Sequence, residues 1–420
     1  MKACFKIFAV LGLTFSAVAH AESRQDVVVH YADIAHAIYE DSLTSALSLQ
    51  QSVYRLIARP RDKNLALARA AWIAARVPYQ QSEVYRFGNK VVDDWEGKVN
   101  AWPLDEGLID YVAGSYGDGS DENPFYAANV IANKVVMLSG RKIDASVITK
   151  ALLTDTLHEV GEIEANVATG YHSIEFLLWG QDLNGTGPGA GDRPASDFDP
   201  NNCSNGNCER RAAYLKAATD LLIDDLRWMV DQWGPAGLGR SDLLGKGTSA
   251  GLSTMLAGMG SLSYGELAGE RMKLGLMLHD PEEEHDCFSD NTHNSHYYNA
   301  LGVQNIFTGS YKRIDGRILK GPSLSGLLAG SAPDLNKELG NRLNATIEAM
   351  LAIVSAAEGG EAYDQMLAMG YDLGNKRVQK AIDALMAQTQ SIEKAVAVLG
   401  LTRIQFEGSD SLDHPADVFK

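Results

Sequence analysis

The sequence predicts an all-α protein built from two antiparallel helical-bundle domains with a site at their interface. Three observations lead to this expectation. Apolar residues recur at three- and four-residue spacing over long stretches, segments with strand alternation are scarce, and a Gly-, Pro-, Asn- and Asp-rich loop interrupts the pattern near the middle of the 420-residue chain. Such periodicity is typical of amphipathic helices, which bury their apolar faces by packing against one another.

The chain begins with a segment typical of a cleaved secretion signal, residues 1–21. Lys2 and Lys6 flank its start, "IFAVLGLTFSAVA" forms an apolar core, and "AHA" ends at Ala21 as a small-x-small cleavage site. No Cys follows this site, which disfavours a lipid anchor, and no later stretch approaches the roughly 20 apolar residues of a membrane span. We therefore expect an exported, periplasmic protein, with association with the outer membrane as the alternative.

Helical periodicity then continues along the rest of the chain. The predicted helices cover residues 30–57, 63–77, 124–139, 145–180, 210–234, 250–277, 293–309, 332–357 and 375–399. Asp62 is placed to cap the second of them. We divide the chain into an N-terminal bundle at 22–190, a linker loop at 191–209 and a C-terminal bundle at 210–420.

Charge and cysteine content narrow the range of partners and compartments. The formal net charge is −17 and no block of Lys and Arg stands out, so nucleic acid and anionic membrane surfaces are poor partners. Cys203 and Cys208 lie in the turn-rich stretch "NNCSNGNCER", which predicts a local disulfide in an oxidising compartment, with a soft-metal site as the weaker alternative. Cys287 would then remain unpaired.

The stretch "GYHSIEFLLWG" places His172 and Glu175 three residues apart in an otherwise apolar run. Residues i and i+3 share one face of a helix, about 5–6 Å apart at Cβ, so both side chains could point at one atom. The apolar neighbours predict an interior helix, where an ionised carboxylate needs a partner. A structural hydrogen bond, a pair of metal ligands and a catalytic acid/base pair are all compatible with this spacing.

The spacings of the standard metalloproteases are absent. After His158 and Glu159, Glu162 stands where a zincin has its second His. The inverted motif fails as well, because Phe176 follows Glu175 where a His is required. One imidazole together with several carboxylates instead suits iron, manganese or zinc.

Three other segments offer residues that could complete a site. "SEVYRF" holds Glu83, "NAWPLDEG" holds Asp105 and Glu106, and "GMGSLSYGELAGERM" holds Glu266 and Arg271. Asp105 is better explained as a cap of the next helix. Arg271 could hold a carboxylate by a bidentate pair, or form a purely structural salt bridge.

The loop "HDPEEEHDCFSDNTHNSH", residues 279–296, gathers four of the ten His residues, including His293, among a series of acidic residues. A second metal site and a hydrogen-bonded surface loop are both compatible with this composition.

Five motifs together resemble the imelysin family of exported bacterial proteins, whose members are also called insulin-cleaving membrane proteases or iron-regulated protein A. They are "VPYQQSEVYRF", "NAWPLDE", "GYHSIEFLLWGQDLN", "GSLSYGELAGERM" and "CFSDNTH", in this order over most of residues 30–310. The Gly-x-His-x-x-Glu pattern of the family falls on Gly170, His172 and Glu175. The resemblance implies two helical bundles with a site between them, a role in bacterial iron uptake, and a metal bound through His172 and Glu175.

From the motifs and the resemblance we expect a metal site of His and carboxylate ligands. The expected ligands are His172, Glu175, Glu83, Glu106 and Glu266, and the expected supporting residues are Gly170, Asp105, Arg271 and His293. Iron is the expected metal, with zinc or another divalent transition metal as alternatives, and a membrane iron transporter or receptor is the expected partner. The alternative function is a metallopeptidase that uses the same metal to activate water, with Glu159 or another carboxylate as general base. Whether the protein is an enzyme stays open at this point.

Overall fold

Helices dominate the fold. The structure, a computed structural model, describes residues 22–117, 119–120, 123–138, 140–401 and 404–419, so the predicted signal segment at 1–21 lies outside the described residues. Within this part of the chain, strands are limited to two short antiparallel hairpins. The expectation of a mostly helical protein is confirmed.

The α-helices follow one another along the chain with these bounds: α1 Arg24–Ala58, α2 Asp62–Gln80, α3 Lys90–Asn100, α4 Lys150–Leu152, α5 Gly170–Trp179, α6 Cys208–Trp233, α7 Leu238–Gly245, α8 Thr248–Ser261, α9 Leu274–Leu278, α10 Thr292–Thr308, α11 Leu324–Ser331, α12 Pro333–Glu358, α13 Tyr363–Leu367, α14 Asp372–Val398 and α15 Asp410–Asp413. The hairpins pair β1 Val135–Leu138 with β2 Arg141–Asp144, and β3 Ser310–Lys312 with β4 Ile318–Lys320.

Shorter helical turns connect these elements. The 3₁₀ turns are Glu83–Tyr85, Glu106–Leu108, Gly114–Tyr116, Val160–Glu162, Ala195–Phe198, Pro281–Glu283 and Cys287–Ser289, and the π-helical stretches are Leu153–Leu157 and Leu262–Lys273.

The first two helices begin in different ways. Ser23 caps α1, because its side-chain oxygen accepts a hydrogen bond from the backbone N–H of Asp26 at 3.1 Å. Asp62, the predicted cap of α2, is instead the first residue of that helix, and Arg61 precedes it without a side-chain cap bond. The Asp62 carboxylate still lies at the positive end of the helix dipole, where a negative charge is stabilising.

Two of the predicted helices are wrong in whole or in part. In the predicted helix at 124–139, the described residues 124–138 form turns and strand β1, in which Val135 and Val136 pair across the hairpin with Asp144 and Ile143. Residues 145–180 do not form one continuous helix. Backbone with positive φ at Glu159, Gly161 and Glu162 separates α4 and the π turn after it from α5.

Buried apolar side chains form two clusters in the described structure. The larger draws on α1, α2, α3, α5, α6 and α8, and the smaller on the Leu262–Lys273 stretch, α12, α13 and α14. Helix α6 begins at Cys208, within the predicted linker at 191–209, and packs against α1. The domain bounds at 22–190 and 210–420 stay a prediction.

Cys203 and Cys208 are joined by a disulfide with 5.9 Å between their Cα atoms, and Cys287 is a free thiol. None of the described helices combines the length and the apolar character needed to cross a membrane.

Candidate metal centre

Helix α5 places His172 and Glu175 in the protein interior. Every residue of this helix is buried. Gly170 opens the helix with φ +78°, and a Cβ at this position would lie 2.4 Å from the carbonyl oxygen of Val99 in α3. Only glycine fits here without strain, because other residues avoid this conformation and the facing atom belongs to backbone. The glycine therefore lets α5 begin in close contact with α3.

The predicted His–Glu pair forms a hydrogen bond. His172 Nδ1 lies 3.0 Å from Glu175 Oε2, and the other carboxylate oxygen of Glu175 accepts hydrogen bonds from the backbone N–H and hydroxyl of Ser289 at 3.1 and 2.6 Å. In the tautomer in which Nδ1 donates to Glu175, Nε2 of His172 carries the lone pair, and Nε2 has no hydrogen-bond partner among the described residues. Glu175 thus sets the orientation of the imidazole.

His285 and Asp286 face this imidazole from the loop that precedes α10. The ring centroids of His172 and His285 are 4.8 Å apart, and neither ring nitrogen of His285 has a hydrogen-bond partner in the described structure. One potential ligand atom from each of His172, His285 and Asp286 lies within 4.8 Å of the other two. All three side chains are buried. We call these three residues the His–Asp group.

An ion pair with α2 holds Asp286 in place. Arg76 Nη2 donates to Asp286 Oδ1 at 2.9 Å, and the other carboxylate oxygen accepts hydrogen bonds from Asn291 Nδ2 and the Ser295 hydroxyl. The Arg76 guanidinium also lies 5.0 Å from the ring centroid of Tyr171 in α5. Arg76 therefore connects α2, α5 and the loop.

Burial sets the charge state of the group. It lowers the pKa of His172 to about 3, with the nearby Arg76 charge acting in the same direction, and it lowers the pKa of His285 well below the ordinary value. Burial also acts to raise the pKa of Asp286, but Arg76 holds it below its usual range. Burial and the Asp286 charge raise the pKa of Glu175 well above its usual range. Near neutral pH the group offers two neutral imidazoles and one carboxylate, which are forms that bind metal ions.

Arg271 binds two of the predicted ligands. Its Nη1 lies 2.7 Å from Glu83 Oε2, and its Nη2 lies 2.6 Å from Glu266 Oε1. Asn100 connects this cluster to the His–Asp group, because its amide N–H donates to Glu83 at 2.8 Å and its oxygen accepts from Arg76 at 2.6 Å. Both carboxylates are thus paired with a cation, and a ligand role for them stays a prediction.

The remaining predicted residues lie around the centre. Asp105 and Glu106 line a cavity of about 350 Å³. Trp102 also lines this cavity, and its ring centroid lies 5.7 Å from that of His285. His293 is in α10, where its Nε2 lies 3.0 Å from Asn294 Nδ2.

Glu159, the alternative general base, is at the surface. Its carboxylate lies 3.8 Å from Nε2 of His158, and its side chain is 53% exposed. The structure does not place it among the buried residues of the His–Asp group.

The sequence analysis did not select His285 and Asp286, nor did it select His296. His296 is fully buried, neither of its ring nitrogens has a partner among the described residues, and its ring centroid lies 4.9 Å from that of Tyr363. The signal in the sequence was the unusual density of His in the loop 279–296, but that density does not show which side chains point inward.

Comparison with known proteins gives a family and a fold. The sequence model described as Imelysin matches residues 35–392. No curated protein matches the sequence. Among solved structures, the chain is similar to a protein from Parabacteroides distasonis ATCC 8503 that is described as an iron-regulated protein A precursor, with 18% identity and a TM-score of 0.65. The match covers 90% of this chain and 97% of that one. At this identity the likeness shows a shared fold.

Proposed function

Because this chain belongs to the imelysin family, we propose that it is a metal-binding protein of bacterial iron uptake that binds iron at the His–Asp group. The observation that carries the proposal is the approach of ligand atoms from His172, His285 and Asp286 to within 4.8 Å of one another in a buried position. A set of two imidazoles and one carboxylate suits iron(II), and zinc or another divalent transition metal is the alternative.

The unpartnered ring nitrogens support a ligand in this place. Nε2 of His172 and both ring nitrogens of His285 are buried without hydrogen bonds in the described structure. A buried polar atom without a partner costs about 1–3 kcal/mol, so such atoms are uncommon and call for an explanation. A metal ion would satisfy one nitrogen of each ring.

Glu175 has a positioning role in this proposal. Its hydrogen bond to Nδ1 leaves Nε2 of His172 to bind the metal, as carboxylates commonly do for metal-bound imidazoles. Its hydrogen bonds from Ser289 also connect α5 to the loop that carries His285 and Asp286. This differs from the expectation that Glu175 is itself a ligand, and the experiment below separates the two roles.

The position of the group supports a site between two bundles. His172 lies in the predicted N-terminal bundle and His285 and Asp286 lie in the predicted C-terminal one. The relative from Parabacteroides distasonis is described as iron-regulated, and we extend that connection with iron to this chain. Export to the periplasm and delivery to a membrane transporter or receptor complete the proposal.

Anaerobic titration calorimetry with iron(II) tests the proposal. The wild-type protein is expected to bind one ion per chain, and His172→Ala is expected to lose this binding. Glu175→Gln is expected to weaken it about 10- to 100-fold, the usual effect of removing a residue that orients a metal ligand. His36→Ala is the matched control, because His36 is a partly exposed residue of α1. Unchanged affinity in His172→Ala would refute the proposal, and complete loss in Glu175→Gln would make Glu175 a ligand.

A further inference from the structure

A second group of carboxylates lies apart from the His–Asp group. Asp182, Glu282, Glu284 and Asp364 line a cavity of about 10 Å³, which is room for a single water-sized sphere. Asp182 follows the end of α5, Glu284 precedes His285 in the loop, and Asp364 belongs to α13. Three segments that are distant in sequence therefore meet at this cavity. We call Asp182, Glu284 and Asp364 the carboxylate group.

Two members of this group are buried, and the charges that act on them come from other carboxylates. Glu284 and Asp364 are 1% and 2% exposed, and none of their four carboxylate oxygens makes a hydrogen bond of normal geometry in the described structure. The Thr292 hydroxyl lies near Glu284, and the backbone N–H groups of Asp364 and Gln365 lie near the Asp364 carboxylate; each acts to lower the pKa of that carboxyl, against the larger effect of burial. Burying an ionised carboxylate without a cation or hydrogen-bond donors is costly.

The surrounding charges increase this cost. The negative charge of Asp182 raises the pKa of Asp364. The charge of Asp364 likewise raises the pKa of Asp290. Burial raises the pKa of Asp364 to about 6 and that of Asp290 to about 7, and like charges add to the effect. The strongest charge effects at these two residues thus come from other carboxylates and not from a Lys or Arg.

We propose that Asp182, Glu284 and Asp364 bind a hard divalent cation of the calcium type. The donor atoms are all carboxylate oxygens, which calcium and magnesium prefer, whereas the His–Asp group offers nitrogen donors for a transition metal. Among the described residues, only the His–Asp group has three ligand atoms within 4.8 Å of one another. Calcium takes six to eight oxygen ligands in flexible geometry, and an ion that fills the single-sphere cavity would draw the three carboxylates, each with two oxygens, inward around it.

Such an ion would stabilise the loop that carries His285 and Asp286. Glu284 is adjacent to His285, and the cation would attach it to the end of α5 through Asp182 and to α13 through Asp364. The proposal does not depend on iron binding, because the two sites use different residues and only the His–Asp group has imidazole nitrogens.

Calcium titration of the full mature protein after treatment with a chelator tests this site. Wild-type protein is expected to give a saturable heat signal and a rise in Tm with calcium. Glu284→Gln/Asp364→Asn is expected to lose both effects, and the single variant Asp182→Asn, at a partly exposed position, is expected to weaken them. Asp372→Asn, at an exposed position of α14, is the control and is expected to leave both effects intact.

Four results would overturn the proposal. One is the absence of saturable calcium binding to wild-type protein. The second is unchanged binding in Glu284→Gln/Asp364→Asn. The third is loss of calcium binding in His172→Ala, which would make the carboxylate group part of the iron centre. The fourth is an equal gain in stability of the amide variants with and without calcium, which would show that the carboxyl groups are protonated in the folded protein and bind no cation. Calcium binding retained in His172→Ala would support an independent site, whether or not iron binds.

Discussion

Replacing Arg76 with Met removes the cation that holds Asp286 beside the two imidazoles. The Arg76 Nη2 to Asp286 Oδ1 distance is 2.9 Å, and the side chains of the pair are 2% and 0% exposed. Removing one partner of a buried ion pair leaves the other charge uncompensated and costs about 3–5 kcal/mol. Met fills part of the space of the arginine stem, so we attribute most of the loss to the unpaired carboxylate.

Urea unfolding followed by circular dichroism measures this effect as a change in the free energy of unfolding. Arg76→Met and Asp286→Asn are each expected to lose about 3–5 kcal/mol. The double variant is expected to lose less than the sum of the two, because no unpaired charge remains. Lys90→Ala is the control, since Lys90 pairs with Asp94 at the surface with side-chain exposures of 82% and 58%, and no measurable change is expected. A loss below about 1 kcal/mol in Arg76→Met, or additive losses in the double variant, would refute the reasoning.

Three further predictions concern the backbone, pH and the disulfide. Gly170→Ala is expected to lose more than about 2 kcal/mol in urea unfolding, because a positive φ costs about 1–2 kcal/mol and the new Cβ would meet the Val99 carbonyl oxygen at 2.4 Å; a loss below 1 kcal/mol would contradict the strain argument. His296→Leu tests the buried imidazole whose pKa burial lowers to about 3. The stability that comes from keeping His296 neutral is present above the unfolded pKa of about 6.5 and is lost as pH falls towards 3, so wild type should lose about 2 kcal/mol relative to the variant between pH 7 and pH 5, and parallel pH profiles would speak against it. Cys203→Ser/Cys208→Ser is expected to lose about 2 kcal/mol, since a disulfide across a sequence separation of 5 restricts the unfolded chain only modestly; equal urea midpoints for the two proteins would show that the crosslink contributes nothing.

The sequence predicted the long helices well where apolar periodicity was uninterrupted. Residues 332–357 and 375–399 correspond closely to α12 and α14, which end at Glu358 and Val398. The helix prediction failed at 124–139, where the β1–β2 pairing outweighs local helical propensity. It also failed at 145–180, where residues with positive φ angles interrupt the helix. Such breaks depend on tertiary contacts, as Gly161 shows: a Cβ there would meet the Phe125 ring at 2.6 Å.

Local spacing in the sequence identified two residues of the candidate centre and missed two others. His172 and Glu175 stand out because three residues on a helix bring two side chains to one face, although the spacing did not show that Glu175 binds the imidazole and Ser289. His285 and Asp286 reach the centre only through the folding of a distant loop against α2 and α5. No local pattern encodes that contact, and the pairing of Glu83 with Arg271 in place of a free carboxylate has the same origin.

The metal content of purified and iron-loaded protein tests the central claim most directly. Elemental analysis of wild type beside a His172→Ala/His285→Ala variant, with circular dichroism to establish that both are folded, compares the two ligand sets under one condition. The account predicts one iron per chain in wild type and its loss in the variant. Equal iron content in the two proteins would contradict it and would leave the His–Asp group as a structural cluster.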